Sequence, residues 1–194
     1  MSSITQILNW ISNSLLLPVI VLLLAALGAA LISLGGFCAT YLNLLQEKKK
    51  RTMLLKKIRS SAHFNEQDIA DNGIFADHIK TLFALGFDEL ECEKYISELE
   101  QEYEKELERS RFLTKTAPML GLMGTLIPMG PALAGLASGD IANMAYNMQI
   151  AFATTVVGCT VAGIALLIYS IKKHWYIEEI TNLRYVLDRK LAGR

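Results

Sequence analysis

The chain has 194 residues, 52% of them hydrophobic, with nineteen bases against nineteen acids and a mean hydropathy of +0.32. Apolar content this high exceeds that of an ordinary soluble domain. Cys38, Cys92 and Cys159 are scattered, His63, His78 and His174 are isolated, and no nucleophile or phosphate-loop motif occurs, so no disulfide framework, cofactor, metal centre or enzyme is expected.

In chain order, residues 1–13 carry Ile4, Ile7, Leu8 and Ile11 at helical spacing around Trp10, with Leu15 continuing the stripe. That pattern predicts an amphipathic helix lying in the membrane interface, anchored by Trp10. A first membrane span is expected over 14–45, because about 20 apolar residues at 1.5 Å each cross the hydrocarbon core. No Lys or Arg precedes Lys48 and the run is too long for a cleaved signal, so the span is expected to be retained.

Residues 46–115 read as a cytoplasmic helical region. It opens with QEKKKRTMLLKKIR, a basic helix end suited to lie against anionic lipid headgroups. The polar stretch SSAHFNEQDIADNG, 60–73, predicts a loop. A helix follows from near Ile74 to Leu85 and ends at Gly86, and Asp88 is placed to cap the next. That helix carries ten acids between Asp88 and Glu108, and a narrow apolar seam of Leu90, Tyr95 or Ile96, Leu99, Tyr103 and Leu107. A narrow seam implies helix neighbours. Only Pro118 stands between it and the next span, so one long rod leaving the bilayer is expected.

The second and third spans are expected over 116–138 and 141–171, joined by a short turn at Ser138-Gly139-Asp140. Residues 172–194 then place Ile177, Ile180, Leu183, Leu187 and Leu191 on one stripe, expected to pack on the acidic helix with bases meeting acids. The fold class is therefore all-α, a membrane protein of three transmembrane helices with long helices extending into the cytoplasm.

Orientation follows from the bases. Seven lie in Lys48–Arg59, six between Lys80 and Lys115 and six from Lys172 onward, with none before Lys48 or from Thr116 to Ile171. The positive-inside rule puts the N-terminus outside and the C-terminus in the cytoplasm of a multi-pass protein. Since the basic cluster hugs a span end and the long rod is acidic, nucleic acid is not an expected partner.

Neither of the last two spans holds Lys, Arg, Asp, Glu or His. Both carry small and hydroxyl residues at helical spacing: Gly121, Gly124 and Thr125 in one, and Ala151, Thr155, Gly158 and Ala162 in the other, with Thr154 beside the stripe. Small residues let membrane helices approach closely. A membrane Thr also commonly returns its hydroxyl to a carbonyl one turn back, so packing alone is the plain alternative. Pro128 and Pro131 flank Gly130 and are expected to kink or loosen the outer half of the second span, freeing carbonyls. A proton relay needs an ionisable group at depth, and Asp140 in the turn is the one acid outside the cytoplasmic regions. If the chain conducts, another chain must bring the carboxylate.

At APMLGLMGTLIPMGPALAGL and AFATTVVGCTVAG the sequence resembles the MotA/TolQ/ExbB family of proton-channel subunits. The family's Gly-hydrophobic-hydrophobic-Gly-Thr core is matched by Gly121-Leu122-Met123-Gly124-Thr125, and its Ala-Leu-x-x-Thr-x-x-Gly core by Ala151-Phe152-Ala153-Thr154-Thr155-Val156-Val157-Gly158. The resemblance is concentrated in residues 114–171, and the architecture is that of the TolQ and ExbB branch. It implies a homopentamer in the inner (cell) membrane around a central pore lined by the last two spans. That pore holds two copies of a single-span partner of the MotB/TolR/ExbD kind, bearing an essential membrane Asp. It further implies that Thr125 and Thr155 line the ion path facing that Asp, with adjacent Thr154 able to substitute, and that ion flow turns the pentamer about its partner, coupling the ion motive force to work. The chain departs from the TolQ and ExbB pattern with Ile150 where relatives carry Glu, and with Gly163-Ile164-Ala165 where they commonly have Pro. A non-conducting membrane scaffold or sensor remains the alternative.

Overall fold

A computed structural model describes residues 2–60 and 73–192. The loop expected over 60–73 falls almost entirely outside the described residues. The elements are four helices, α1 (Ser2–Ser60), α2 (Ile74–Ala84), α3 (Glu89–Ser138) and α4 (Ile141–Ala192), and no strand occurs among the described residues. Of these, α1, α3 and α4 contain stretches long and apolar enough to cross a membrane, in α1 over Asn13–Tyr41.

The first helix is longer than the sequence periodicities suggested. Residues expected as a separate interfacial helix form the first turns of α1. Ser14 donates its hydroxyl to the Trp10 carbonyl at 2.8 Å, satisfying itself inside the continuous helix. As the single rod expected, α3 runs unbroken through Pro118, and it stays helical through Pro128 and Pro131 as well.

Residues with special backbone chemistry end the helices. After α2, Gly86 takes φ +65°, a left-handed conformation that costs glycine nothing. Phe87 follows at φ +53°, a cost its side chain offsets by burial and an edge-on contact with Phe83 at 4.9 Å between ring centroids. Asp88 then caps α3, its Oδ1 accepting from the Leu90 and Glu91 amides at 3.1 Å each. Between α3 and α4, Gly139 at φ +78° turns the chain and Asp140 accepts from the Asn143 amide at 3.0 Å.

The chain divides into two compact units: Met1–Gly35 with Arg109–Tyr169, and Gly36–Glu108 with Ser170–Arg194. In the second unit all four helices contribute to one apolar core. It joins Leu54 and Ile58 of α1, Ile79 and Leu82 of α2, Cys92, Ile96 and Leu99 of α3, and Leu183, Val186 and Leu187 of α4. The seam of α3 begins at buried Cys92, while Leu90, in the first turn, is 77% exposed. On α4, Ile180, Leu183 and Leu187 are buried as the stripe requires, and Ile177 is exposed.

Across this core α4 pairs with its neighbours by charge. Lys172 meets Glu106 at 2.6 Å, Arg184 meets Glu100 at 2.8 Å and Arg51 of α1 meets Glu178 at 2.9 Å. An exposed pair such as Arg184–Glu100 contributes about 0–1 kcal/mol, so it sets register more than stability. The apolar core carries the stability. Leu183→Ala, at a fully buried position, is expected to cost about 2–5 kcal/mol, read as a lowered unfolding midpoint of the purified protein.

Candidate functional site

The site lies in the first unit, where α3 and α4 run against each other through their smallest residues. Gly121, Gly124, Ala151 and Gly158 are all buried, with Ala117 of α3 and Val161 of α4 beside them. A Cβ built on Gly158 would lie 2.8 Å from the Ala117 carbonyl oxygen and 2.9 Å from the Gly121 Cα. A Cβ on Gly121 would lie 3.3 Å from both the Gly158 Cα and the Thr154 carbonyl oxygen. Backbone is thus packed on backbone, the close approach that replaces hydrophobic driving force between helices in lipid. Nearer the α3/α4 turn, a Cβ on Gly135 would come within 3.1 Å of the Asp140 carbonyl oxygen.

The three threonines are placed differently. Thr154, buried at 6% exposure, sits opposite Gly124, whose missing Cβ would fall 2.6 Å from the Thr154 Cβ. Its hydroxyl lies within reach of two carbonyls of its own helix, Ala151 at 2.9 Å and Ile150 at 3.1 Å. Thr125 is half-buried and donates to the Leu122 carbonyl at 2.7 Å. Thr155 is also half-buried, and its bond to the Ala151 carbonyl is long, 3.3 Å. A hydroxyl so weakly engaged gives up little on taking another partner.

Ala162, at the C-terminal end of the stripe, is half-buried against the Ala30, Ala117 and Val161 cluster, and Pro128 is fully buried. A proline within a helix leaves the carbonyl four residues earlier without its amide. Pro128 and Pro131 thereby release the carbonyls of Gly124 and Ile127, one of them in the seam beside Thr154. On the outward faces, Leu122, Leu126, Phe152 and Val156 are exposed, apolar surface suited to lipid or to another protein.

The tight packing line is therefore not quite the stripe read from the sequence. The buried positions of α4 run Ala151, Thr154, Gly158, Val161, Ala165 and Ile168, so Thr155 and Ala162 lie to one side. The spacing of three and four residues along that line was present in the sequence, and Thr154 belongs to it. Among the described residues no group of His, Cys, Asp and Glu is arranged to hold a metal ion.

The family model of the MotA/TolQ/ExbB proton channel family matches residues 65–184, more than half of the chain and both Gly- and Thr-bearing motifs. Comparison with curated proteins and with solved structures gives no significant match.

Proposed function

The chain belongs to the MotA/TolQ/ExbB proton channel family, whose members are membrane subunits of energy-transducing complexes, and from that premise we propose that it is the pore-forming subunit of an ion-driven motor. In this reading α3 and α4 line the pore of a homopentamer over 116–138 and 141–171. The pore encloses two copies of a single-span partner bearing a membrane Asp, and ion flow past that Asp turns the ring about the partner. The ion is a proton in the reading we favour.

The observation that carries this reading is a hydroxyl-bearing, glycine-packed pair of spans with no ionisable group of its own. Protons cross a membrane interior by way of groups that titrate there. Thr125 and Thr155 supply donors and acceptors without a carboxylate, which is half of such a path. Glycine contacts between α3 and α4 hold the two hydroxyl-bearing helices close, and Thr154 acts in that packing rather than toward the ion.

The distribution of bases supports an inner-membrane orientation with the N-terminus outside and with residues 46–115 and 172–194 in the cytoplasm. The first span, 14–45, then faces lipid.

Ion flux in proteoliposomes tests the proposal. Flux is expected with this chain and a single-span, Asp-bearing protein together, and not with either alone. Flux absent from the reconstituted pair, with no such partner co-purifying, would return the scaffold reading.

A further inference from the structure

In the second unit a polar cluster joins α2 to α3 and α4 beside the apolar core that buries Ile79 and Leu82. His78 of α2, with a side chain 17% exposed, lies 2.7 Å through Nδ1 from the Tyr95 hydroxyl. Its Nε2 lies 3.5 Å from the Tyr103 hydroxyl and 3.7 Å from Glu179 Oε1 on α4. Tyr103 in turn hydrogen-bonds Glu179 and stacks on Tyr176 of α4, ring centroids 4.0 Å apart, and Tyr176 donates to Glu106. One placement of protons serves the ring and both hydroxyls. Tyr95 donates to Nδ1, Nε2–H points at the Tyr103 oxygen, and Tyr103 donates to Glu179.

That placement needs a neutral imidazole. A second ring proton would turn Nδ1 into a donor and leave the Tyr95 hydroxyl proton without its half-buried acceptor. The titratable and charged groups around His78 are Asp77 on its own helix, Tyr95, Tyr103 and Glu102 from α3, and Glu179 from α4. From α1, Arg51 lies over the Phe75 ring and is engaged by Glu178.

We infer that His78 is a pH-operated latch, holding α2 to α3 and α4 while neutral and releasing it on protonation. Three of the four helices, α1, α3 and α4, contain a span candidate, whereas α2 does not. Its eleven residues are the short element of the unit, held by four buried side chains and this cluster.

Burial pushes the His78 pKa below the usual imidazole value, against the opposing pull of Asp77 and Glu102. A lowered folded-state value means that the contribution is complete above about 6.5. It is lost as pH falls from there through the folded value. The release is thus a response to acidification. Its use as feedback on proton entry rests on the channel reading; the latch itself does not.

Hydrogen exchange of the α2 amides, residues 74–84, in the full-length protein in lipid nanodiscs tests this without any ion-flow measurement. After correction for intrinsic exchange, opening of α2 is expected to rise below about pH 6.5, by up to tenfold per pH unit, and to level off beneath the folded pKa. His78→Gln, which cannot titrate, is expected to abolish the rise. A flat wild-type profile overturns the latch, as does the same rise in His78→Gln. Should the variant fail to fold, NMR titration of the wild-type imidazole decides. A His78 midpoint below about 6.5 supports the latch and one at or above it overturns it.

Discussion

Gly158→Ala is expected to lower the thermal midpoint of the protein by roughly 2–12 °C, and Gly158→Val by more. The added methyl meets the Ala117 carbonyl oxygen at 2.8 Å and the Gly121 Cα at 2.9 Å, both backbone atoms that no rotamer change can move away. Relief requires α3 and α4 to part, and overpacking of this kind costs about 1–3 kcal/mol. For a chain of this length each kcal/mol corresponds to about 2–4 °C. Gly163→Ala is the matched control, since a Cβ there meets nothing within 4 Å. It is expected to be neutral or slightly stabilising, because alanine is the better helix former. Gly124→Ala tests the same seam from the other side. Its clash is with the Thr154 side chain, nearest at Cβ, so Thr154→Gly in the same molecule should restore most of the loss whereas Thr154→Ser should not. An unchanged midpoint for Gly158→Ala would remove the glycine seam from the account.

How much of this was legible beforehand depended on whether a feature is local. Three apolar helices were readable because span length and composition are properties of contiguous residues. So was the cap at Asp88, two residues after a glycine with positive φ. Axial register between distant helices was not readable. Periodicity tells which face of α4 is apolar, but not that Lys172 stands level with Glu106, or Arg184 with Glu100. Thr154 shows the same limit. Two adjacent threonines lie about 100° apart around a helix, and only the approach of Gly124 shows which one is buried in the seam. Leu90 was assigned to the seam by its apolarity, yet a first-turn residue can point away from the core, and Cys92 fills that level instead. The cluster around His78 was hidden for a related reason. Its members come from α2, α3 and α4, and an isolated histidine such as His78 looks like a surface group.

Thr155→Ala is expected to reduce partner-dependent ion flux in proteoliposomes by one to two orders of magnitude while leaving assembly intact. The estimate follows from the hydroxyl's role in the proposed site. A hydrogen bond to a charged group contributes about 1.5–3 kcal/mol, and each 1.4 kcal/mol is tenfold. The Thr155 hydroxyl holds only a 3.3 Å bond to the Ala151 carbonyl, so removing it disturbs the helix little and takes away a group able to meet a partner's carboxylate. Thr155→Ser keeps the hydroxyl and should keep most of the flux, whereas Thr155→Val keeps the shape and should lose it. Thr125→Ala is expected to act in the same direction, since Thr125 is also half-buried. Thr154→Ala should behave otherwise. Its hydroxyl is already satisfied by two carbonyls inside the seam, so its loss belongs to stability, with flux per assembled complex unchanged. If Thr154→Ala instead abolished flux while Thr155→Ala spared it, the two residues would exchange roles and the ion path would run along the α3–α4 seam. If both alanine variants conducted normally, the hydroxyls would be packing groups alone, and the partner's Asp would have to find its hydrogen bonds elsewhere in the pore.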